Sequence, residues 1–441
     1  MQRLLFADDR GRVYDHPGLL AAVRSGDDLA APAERGVPLP EGATLARLPG
    51  RRPVGIDPTT GAHVVVREVK VGRRTIVPSA VGATLPPGYT RTYLPAAARA
   101  LTVADVPVLP QWAYTAAALG EHGPVAFALR TDRRGHWSPR THSTPDLPRR
   151  VEKTLAESPN PIYRQLRRCA LEWRCFTAQN TFYGRDEGAI PSSAACNAAC
   201  IGCLSEQQEG MPPASHERIV RAPTAEEMAE VAVRHLARAT GHVMVSFGQG
   251  CEGEPLLRWK EIERAIRLVR ARTARGSIHA NTNGSLPDAL GRLVEAGLDS
   301  VRISLNSASE DLYAAYYRPS GYGLADVERA VRVAKEKGAY VALNLLTVPG
   351  VTDREGEAER LCALVRRTGV DQVQTRPLAI DPDVYMDVAR GRGAPGRAIG
   401  VRALVAALRA ARPGLVVGNF SRSRRERRVA RPGRRGGAEA R

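Results

Sequence analysis

Cys196-Asn197-Ala198-Ala199-Cys200-Ile201-Gly202-Cys203 places three thiols within eight residues. Intervals of three and two residues let one loop present three corners of a metal centre. Thiolates are soft ligands that select zinc or iron–sulfur clusters. Three thiols rather than four leave one iron of a cubane cluster open to an exogenous ligand. A Cys3His zinc site completed by His216 is the competing arrangement. The N-terminus, Met1 to Asp9, turns acidic too soon for an export signal, and no run of apolar residues is long enough to span a bilayer. A cytoplasmic, reducing setting is therefore expected, where the seven cysteines bind metal or do chemistry rather than form disulfides.

Downstream of the thiols, strand and helix patterns alternate. Thr224 with Glu227 reads as a capping box opening an amphipathic helix that ends by Gly241. Strands are predicted at Val243–Phe247, Ser277–Asn281, Val301–Leu305, Tyr340–Leu346, Asp371–Arg376 and Leu415–Val417. Helices lie between them, three stopping at Gly297, Gly338 and Gly369. Strict alternation implies a parallel sheet with helices outside, open or closed into a barrel.

These features resemble the radical S-adenosylmethionine (radical SAM) superfamily over roughly residues 185 to 380. The resemblance implies an α/β fold, a partial six-stranded TIM-like barrel with the cluster loop after its first strand. That strand is expected between Gly188 and Ala195. Glu252-Gly253-Glu254-Pro255 resembles the family's Gly-Gly-Glu-Pro turn, and Asn281-Thr282-Asn283-Gly284 its Thr-Asn-Gly element. Ser304-Leu305-Asn306 resembles its Ser-x-Asn, and Asn344 stands where a ribose contact is common. The resemblance implies a 4Fe–4S cluster on Cys196, Cys200 and Cys203. It implies SAM held by Gly253, Glu254, Pro255, Asn283, Ser304, Asn306 and Asn344. It also implies reductive SAM cleavage to a 5′-deoxyadenosyl radical, fed by a flavodoxin- or ferredoxin-type donor, with hydrogen abstraction from a substrate. That substrate is a small molecule, a peptide or RNA. Two positions depart from the family pattern. Gly202 replaces the aromatic residue usual before the third cysteine, and Glu252 replaces the first glycine of the turn.

Gly248-Gln249-Gly250-Cys251-Glu252-Gly253 also fits a dinucleotide fingerprint, but the next predicted strand ends without the acid such a site needs. Cys251 lies in the loop expected to face SAM and is a candidate hydrogen-atom donor. Arg376, ending its strand, suits an anionic substrate group. Cys169, Cys175 and Cys362 read as packing residues, as do Tyr313, Tyr316 and Tyr317, the tyrosines being also candidates for the cavity wall.

The rest of the chain divides by composition. Of 32 prolines, 19 fall at or before Pro161, among short β-like runs, so residues 1–150 read as a β-rich domain of unassigned role. Residues 151–184 read as a linker, 185–420 as the barrel and 421–441 as a basic, disordered tail. The formal charge of +18 raises nucleic acid as a partner. Only five of the 64 basic residues are lysine, which points to arginine-biased usage as much as to a binding surface. A zinc-stapled RNA-binding module is the non-catalytic alternative.

Overall fold

The computed structural model describes residues 2–99, 106–133 and 135–429. Up to Arg130 the chain is built of short antiparallel strands, the largest sheet having ten. Its apolar residues fall into several small clusters instead of one core, as short strands with frequent turns dictate. This β-rich region docks firmly on the rest of the chain. Asp381 accepts from Arg51 and from the backbone N–H of Leu109 at 2.9 Å, while Asp383 accepts from Arg24 at 2.6 Å.

Residues 151–184 are not a linker. Helices α1 (Leu147–Glu157), α2 (Pro161–Leu171) and α3 (Phe176–Tyr183) occupy them. Val151, Ile162, Leu166, Cys169 and Phe182 are buried in one hydrophobic cluster that runs on through the barrel. Pro148 and Pro161 sit in the first turns of α1 and α2. There the missing N–H costs nothing and the fixed φ suits the helix.

Seven parallel strands follow in sequential order: β1 (Arg185–Ala189), β2 (Thr240–Phe247), β3 (Ser277–Thr282), β4 (Ser300–Leu305), β5 (Tyr340–Thr347), β6 (Gln372–Pro377) and β7 (Val416–Gly418). Between them run α4 (Ala225–Arg238), α5 (Trp259–Arg272), α6 (Pro287–Ala296), α7 (Glu310–Tyr317), α8 (Leu324–Glu336), α9 (Glu355–Thr368), α10 (Pro382–Ala389) and α11 (Val401–Ala411). The sheet curls into a partial barrel, with no strand pairing from β1 to β7 among the described residues. Thr224 and Glu227 cap α4 reciprocally, as their spacing predicted. Gly297 and Gly369 end α6 and α9 in the left-handed conformation.

Two boundaries differ from the sequence reading. The first strand ends at Ala189, not near Ala195, because Pro191 cannot donate to a ladder and the chain leaves the sheet there. Ordered structure also continues past Ser421 into α12 (Arg424–Val429). The Arg424 guanidinium pairs with Asp299, and Arg427 donates to the Asp299 carbonyl at 2.8 Å. The remainder of the expected tail, residues 430–441, lies outside the described residues. No helix among the described residues is long and apolar enough to cross a membrane.

Candidate functional site: a three-thiol loop over a polar barrel lumen

The thiol loop runs from the end of β1 across the carboxyl ends of the strands. The backbone N–H groups of Ala199 and Ile201 donate to the carbonyls of Tyr317 and Tyr316 at 3.1 Å each, so the loop rests on the end of α7. On its other side it lies against the turn after β2. Gly253 N–H donates to Ser193 O at 2.7 Å, and Glu254 N–H to Ala195 O at 2.8 Å. A Cβ on Gly253 would stand 2.0 Å from the Ala195 carbonyl oxygen. Gly248, at φ +76°, brings the same turn equally close to the Asn281 carbonyl. The glycine spacing that imitates a dinucleotide fingerprint thus serves two backbone approaches. No α-helix opens at Gly253: Glu254 instead caps a short 3-10 turn, Pro255–Arg258.

Two buried glutamates lock this arrangement. One Glu252 oxygen accepts from Ser192 N–H (2.6 Å), Ser192 Oγ (2.7 Å) and Ser193 N–H (2.9 Å), and the other from Gln249 N–H. Glu254 accepts from Leu256 N–H at 2.9 Å, from Asn283 N–H at 2.7 Å and from the Thr282 hydroxyl. Glu252, read from sequence as a departure, therefore fastens the thiol loop to the β2 turn, and Glu254 fastens that turn to the end of β3. Burial pushes both carboxyls up to about 7, against the pull of their donors. A carboxyl that holds its proton more tightly when folded contributes stability below its unfolded pKa, and that contribution fades as pH rises from 4.5 through about 7. Thermal stability should decline over that window, with a shallower decline in Glu252→Gln. Equal slopes in the two proteins would mean that Glu252 does not titrate there. The amide also presents N–H to donors, so urea unfolding of this variant should show a loss of about 1.5–3 kcal/mol.

The thiols lie within electrostatic reach of one another. Burial raises Cys196, and burial with the neighbouring thiols raises Cys200. Arg218 points Nη2 at Cys203 Sγ (3.7 Å), and Gln111 of the β-rich region donates to the Cys203 carbonyl at 2.8 Å. One zinc ion with bonds of ~2.3 Å would draw its sulfurs to within ~4 Å of each other. Among the described residues the three Sγ atoms, with or without His216, do not gather within 4.8 Å as a set. His216 packs near Trp173 instead, with ring centroids 5.4 Å apart. Three soft thiolate donors on one loop suit an iron–sulfur cluster.

Below the loop opens a cavity of about 660 Å³, lined by Cys200, Cys203, Ser304, Asn344 and Arg376 among others. Asn344 Oδ1 is buried without a partner, as is Asn306 Oδ1. Asn306 lies just beyond β4 and donates to the Leu312 carbonyl (3.1 Å) and toward Tyr385 Oη (3.4 Å). Asn283 Nδ2 donates to Asn197 Oδ1 at 2.8 Å, tying the end of β3 to the thiol loop. Asn344 Oδ1, on the cavity wall, fits a polar ligand such as SAM, whereas Asn306 is 1% exposed and does not line the cavity.

Cys251 is not on the cavity wall. It is 2% exposed and packs against Cys169, with its carbonyl accepting from Ile219 N–H at 2.9 Å, so it cannot reach a substrate radical there. Other wall residues escaped the sequence reading: Glu187 on β1, Arg302 on β4 and the aromatic rings of Trp137, Trp173, Phe176 and Phe420. Gly202 has a partner that the sequence hides. A Cβ there would meet Tyr316 Oη at 2.5 Å, so the tyrosine from α7 fills that space.

Residues 190–392 match the family model of the radical SAM superfamily. The FeMo cofactor biosynthesis protein NifB of Klebsiella pneumoniae is 29% identical over 181 residues, 37% of this chain and 37% of that protein. A GTP 3',8-cyclase of Pelotomaculum thermopropionicum is 31% identical over 185 residues, 42% of this chain and 53% of the cyclase. A radical SAM methyltransferase from Sphaerobacter thermophilus aligns in three dimensions over 48% of this chain and 65% of its own, at 21% identity and a TM-score of 0.34. The chain spans about half, or less, of the length of these curated relatives. The match over residues 190–392 holds the three thiols, the β2 turn and the strand ends, and this part of the chain is a radical SAM domain.

Proposed function

We propose that this chain is a radical SAM enzyme. It holds a 4Fe–4S cluster on Cys196, Cys200 and Cys203, and S-adenosylmethionine between that loop and the carboxyl ends of β2 to β5. The observation that carries the reading is a three-thiol loop whose Cys200 and Cys203 line a lumen that also holds the unpartnered Asn344 Oδ1. When bound, cluster and SAM supply one-electron cleavage of a carbon–sulfur bond and hydrogen abstraction from a substrate.

The chain's own residues position and shield that chemistry. The backbone of Gly253 to Pro255, held by Glu252 and Glu254, faces the SAM amino group. Ser304 Oγ and Asn344 Oδ1 receive its ribose or carboxylate. Tyr316, standing over Gly202, packs beside the adenine in place of the missing aromatic side chain. Trp137 stacked on Phe420, with ring centroids 5.3 Å apart, walls the lumen from bulk water. Electrons come from a flavodoxin- or ferredoxin-type protein, and the substrate is a molecule small enough for the lumen.

SAM binding tests the reading. Losing one bond to a polar ligand group costs roughly 1–3 kcal/mol, so Ser304→Ala and Asn344→Ala should each weaken SAM binding about 5- to 150-fold. Iron content should not change. A SAM titration followed by the cluster's electron paramagnetic resonance signal reports both quantities. Unchanged affinity in both variants would remove β4 and β5 from the SAM site.

A further inference from the structure

Inside the lumen the strand register stacks side chains in layers. Ser304, Asn344 and Gln374 are register partners and form one layer. Arg302 stands one layer deeper on β4, and Arg376 one layer nearer the mouth on β6. The two guanidiniums converge on a single atom: Gln374 Oε1 accepts from Arg302 Nη1 at 3.1 Å and from Arg376 Nη2 at 3.3 Å. Among the described residues neither arginine has a carboxylate within 4 Å, although the chain forms such pairs at many of its other arginines. Glu187 is the acid that feels both, from across the sheet on β1, where it bonds Ser246. Asp132 adds a further, weaker attraction on Arg376, and among the described residues neither acid pairs directly with either guanidinium.

Burial lowers both guanidiniums, Arg376 to about 9, with Arg302 the next cause acting on it. Two like charges sharing one neutral oxygen in an enclosed space is a costly arrangement. It makes sense as a site that awaits an anion. Arginine also presents planar paired donors that match carboxylate and phosphate oxygens.

Building on the radical SAM reading, we infer that Arg302 and Arg376 clamp an oxyanion, carboxylate or phosphate, of the substrate. The substrate is then a small anionic molecule whose remaining body lies toward Trp173, Phe176 and the cluster loop. The clamp lies on β4 and β6, whereas the thiol loop and the Gly253 turn follow β1 and β2 at the other side of the sheet. Ser304 and Asn344 share the layer of Gln374, so the SAM-affinity arm of the test separates an anion of the substrate from the carboxylate of SAM itself.

The test uses reconstituted full-length protein, with inorganic phosphate replacing chloride at constant ionic strength. Thermal unfolding and SAM affinity are measured on wild type, Arg376→Gln and the double variant Arg302→Gln/Arg376→Gln. Phosphate should raise the wild-type unfolding temperature more than it raises that of the double variant. Without phosphate the double variant should unfold at the same temperature as wild type or higher, since it lacks the like-charge strain. SAM affinity should stay within about twofold of wild type. An equal phosphate response in all three proteins would overturn the clamp. So would a tenfold loss of SAM affinity in Arg376→Gln, which would assign the arginine to SAM's own carboxylate. Should the double variant fail to fold, wild type still decides the matter: phosphate and chloride giving equal unfolding temperatures overturns the clamp. Iron content separates this from the parent reading, because a protein that assembles no cluster fails the radical SAM assignment whatever phosphate does.

Discussion

Replacing any one of Cys196, Cys200 and Cys203 with alanine should abolish SAM cleavage and strip most iron from the anaerobically reconstituted protein. Wild type should carry ~4 iron per chain, the content of one cubane held by three thiolates and an outside ligand. The effect is large because two thiolates cannot hold three corners, and no spare thiol lies in the loop. Cys251 and Cys169 pack together in the core, and Cys251 is absent from the cavity wall. Cys251→Ala should therefore leave iron content and SAM cleavage close to wild type. Iron retained at wild-type level in Cys200→Ala would mean that the cluster sits elsewhere. About one zinc per chain in place of iron would restore the zinc-module reading, against the thiol spacing.

The second large effect concerns a residue that touches no ligand through its side chain. Gly253→Ala should lower the unfolding temperature by more than 5 °C and release the cluster at mild temperatures. The new methyl would lie 2.0 Å from the Ala195 carbonyl oxygen and 2.5 Å from its carbon. Both obstacles are backbone, so no rotamer change relieves the overlap, and the thiol loop must lift from the β2 turn. Lifting breaks the Gly253 and Glu254 hydrogen bonds to Ser193 and Ala195 and exposes Glu252. A substitution forcing backbone movement with loss of buried hydrogen bonds belongs to the costly tail of point mutations, several kcal/mol. Calorimetry of apoprotein separates the two components: a drop seen without iron is the backbone clash, and a further drop in the reconstituted protein is the lost cluster. An apoprotein as stable as wild type would mean that the turn and loop do not touch as described.

The barrel was legible because its elements are local. Strands β2 to β5 carry short apolar runs, the helices between them have periodic faces, and Gly297 and Gly369 mark stops whose reason is a single backbone conformation; β1, Arg185–Ala189, is polar and was misplaced. The thiol loop was legible for the same reason, all three thiols lying within eight residues. The helices at 147–183 lie where the sequence reads as a linker, with Pro148 and Pro161 in their first turns. Cys251 was misplaced because its neighbours in sequence face the lumen while it turns to Cys169. Nothing local says which way a loop side chain points.

Sequence alone was enough to determine a βα-repeat domain and a three-thiol loop lying over its strand ends. Those follow from covalent spacing and from periodicities of 2 and 3.6, which a chain carries whether or not it is folded. The tertiary structure decided what distant residues do together. Glu252 fastens a loop 60 positions upstream, Tyr316 fills the space beside Gly202, and Arg302 meets Arg376 on the oxygen of Gln374. Each of these is a burial effect. A carboxylate, a phenol or a guanidinium acquires its role only when packing removes water and leaves one set of partners within reach, and no spacing along the chain encodes that.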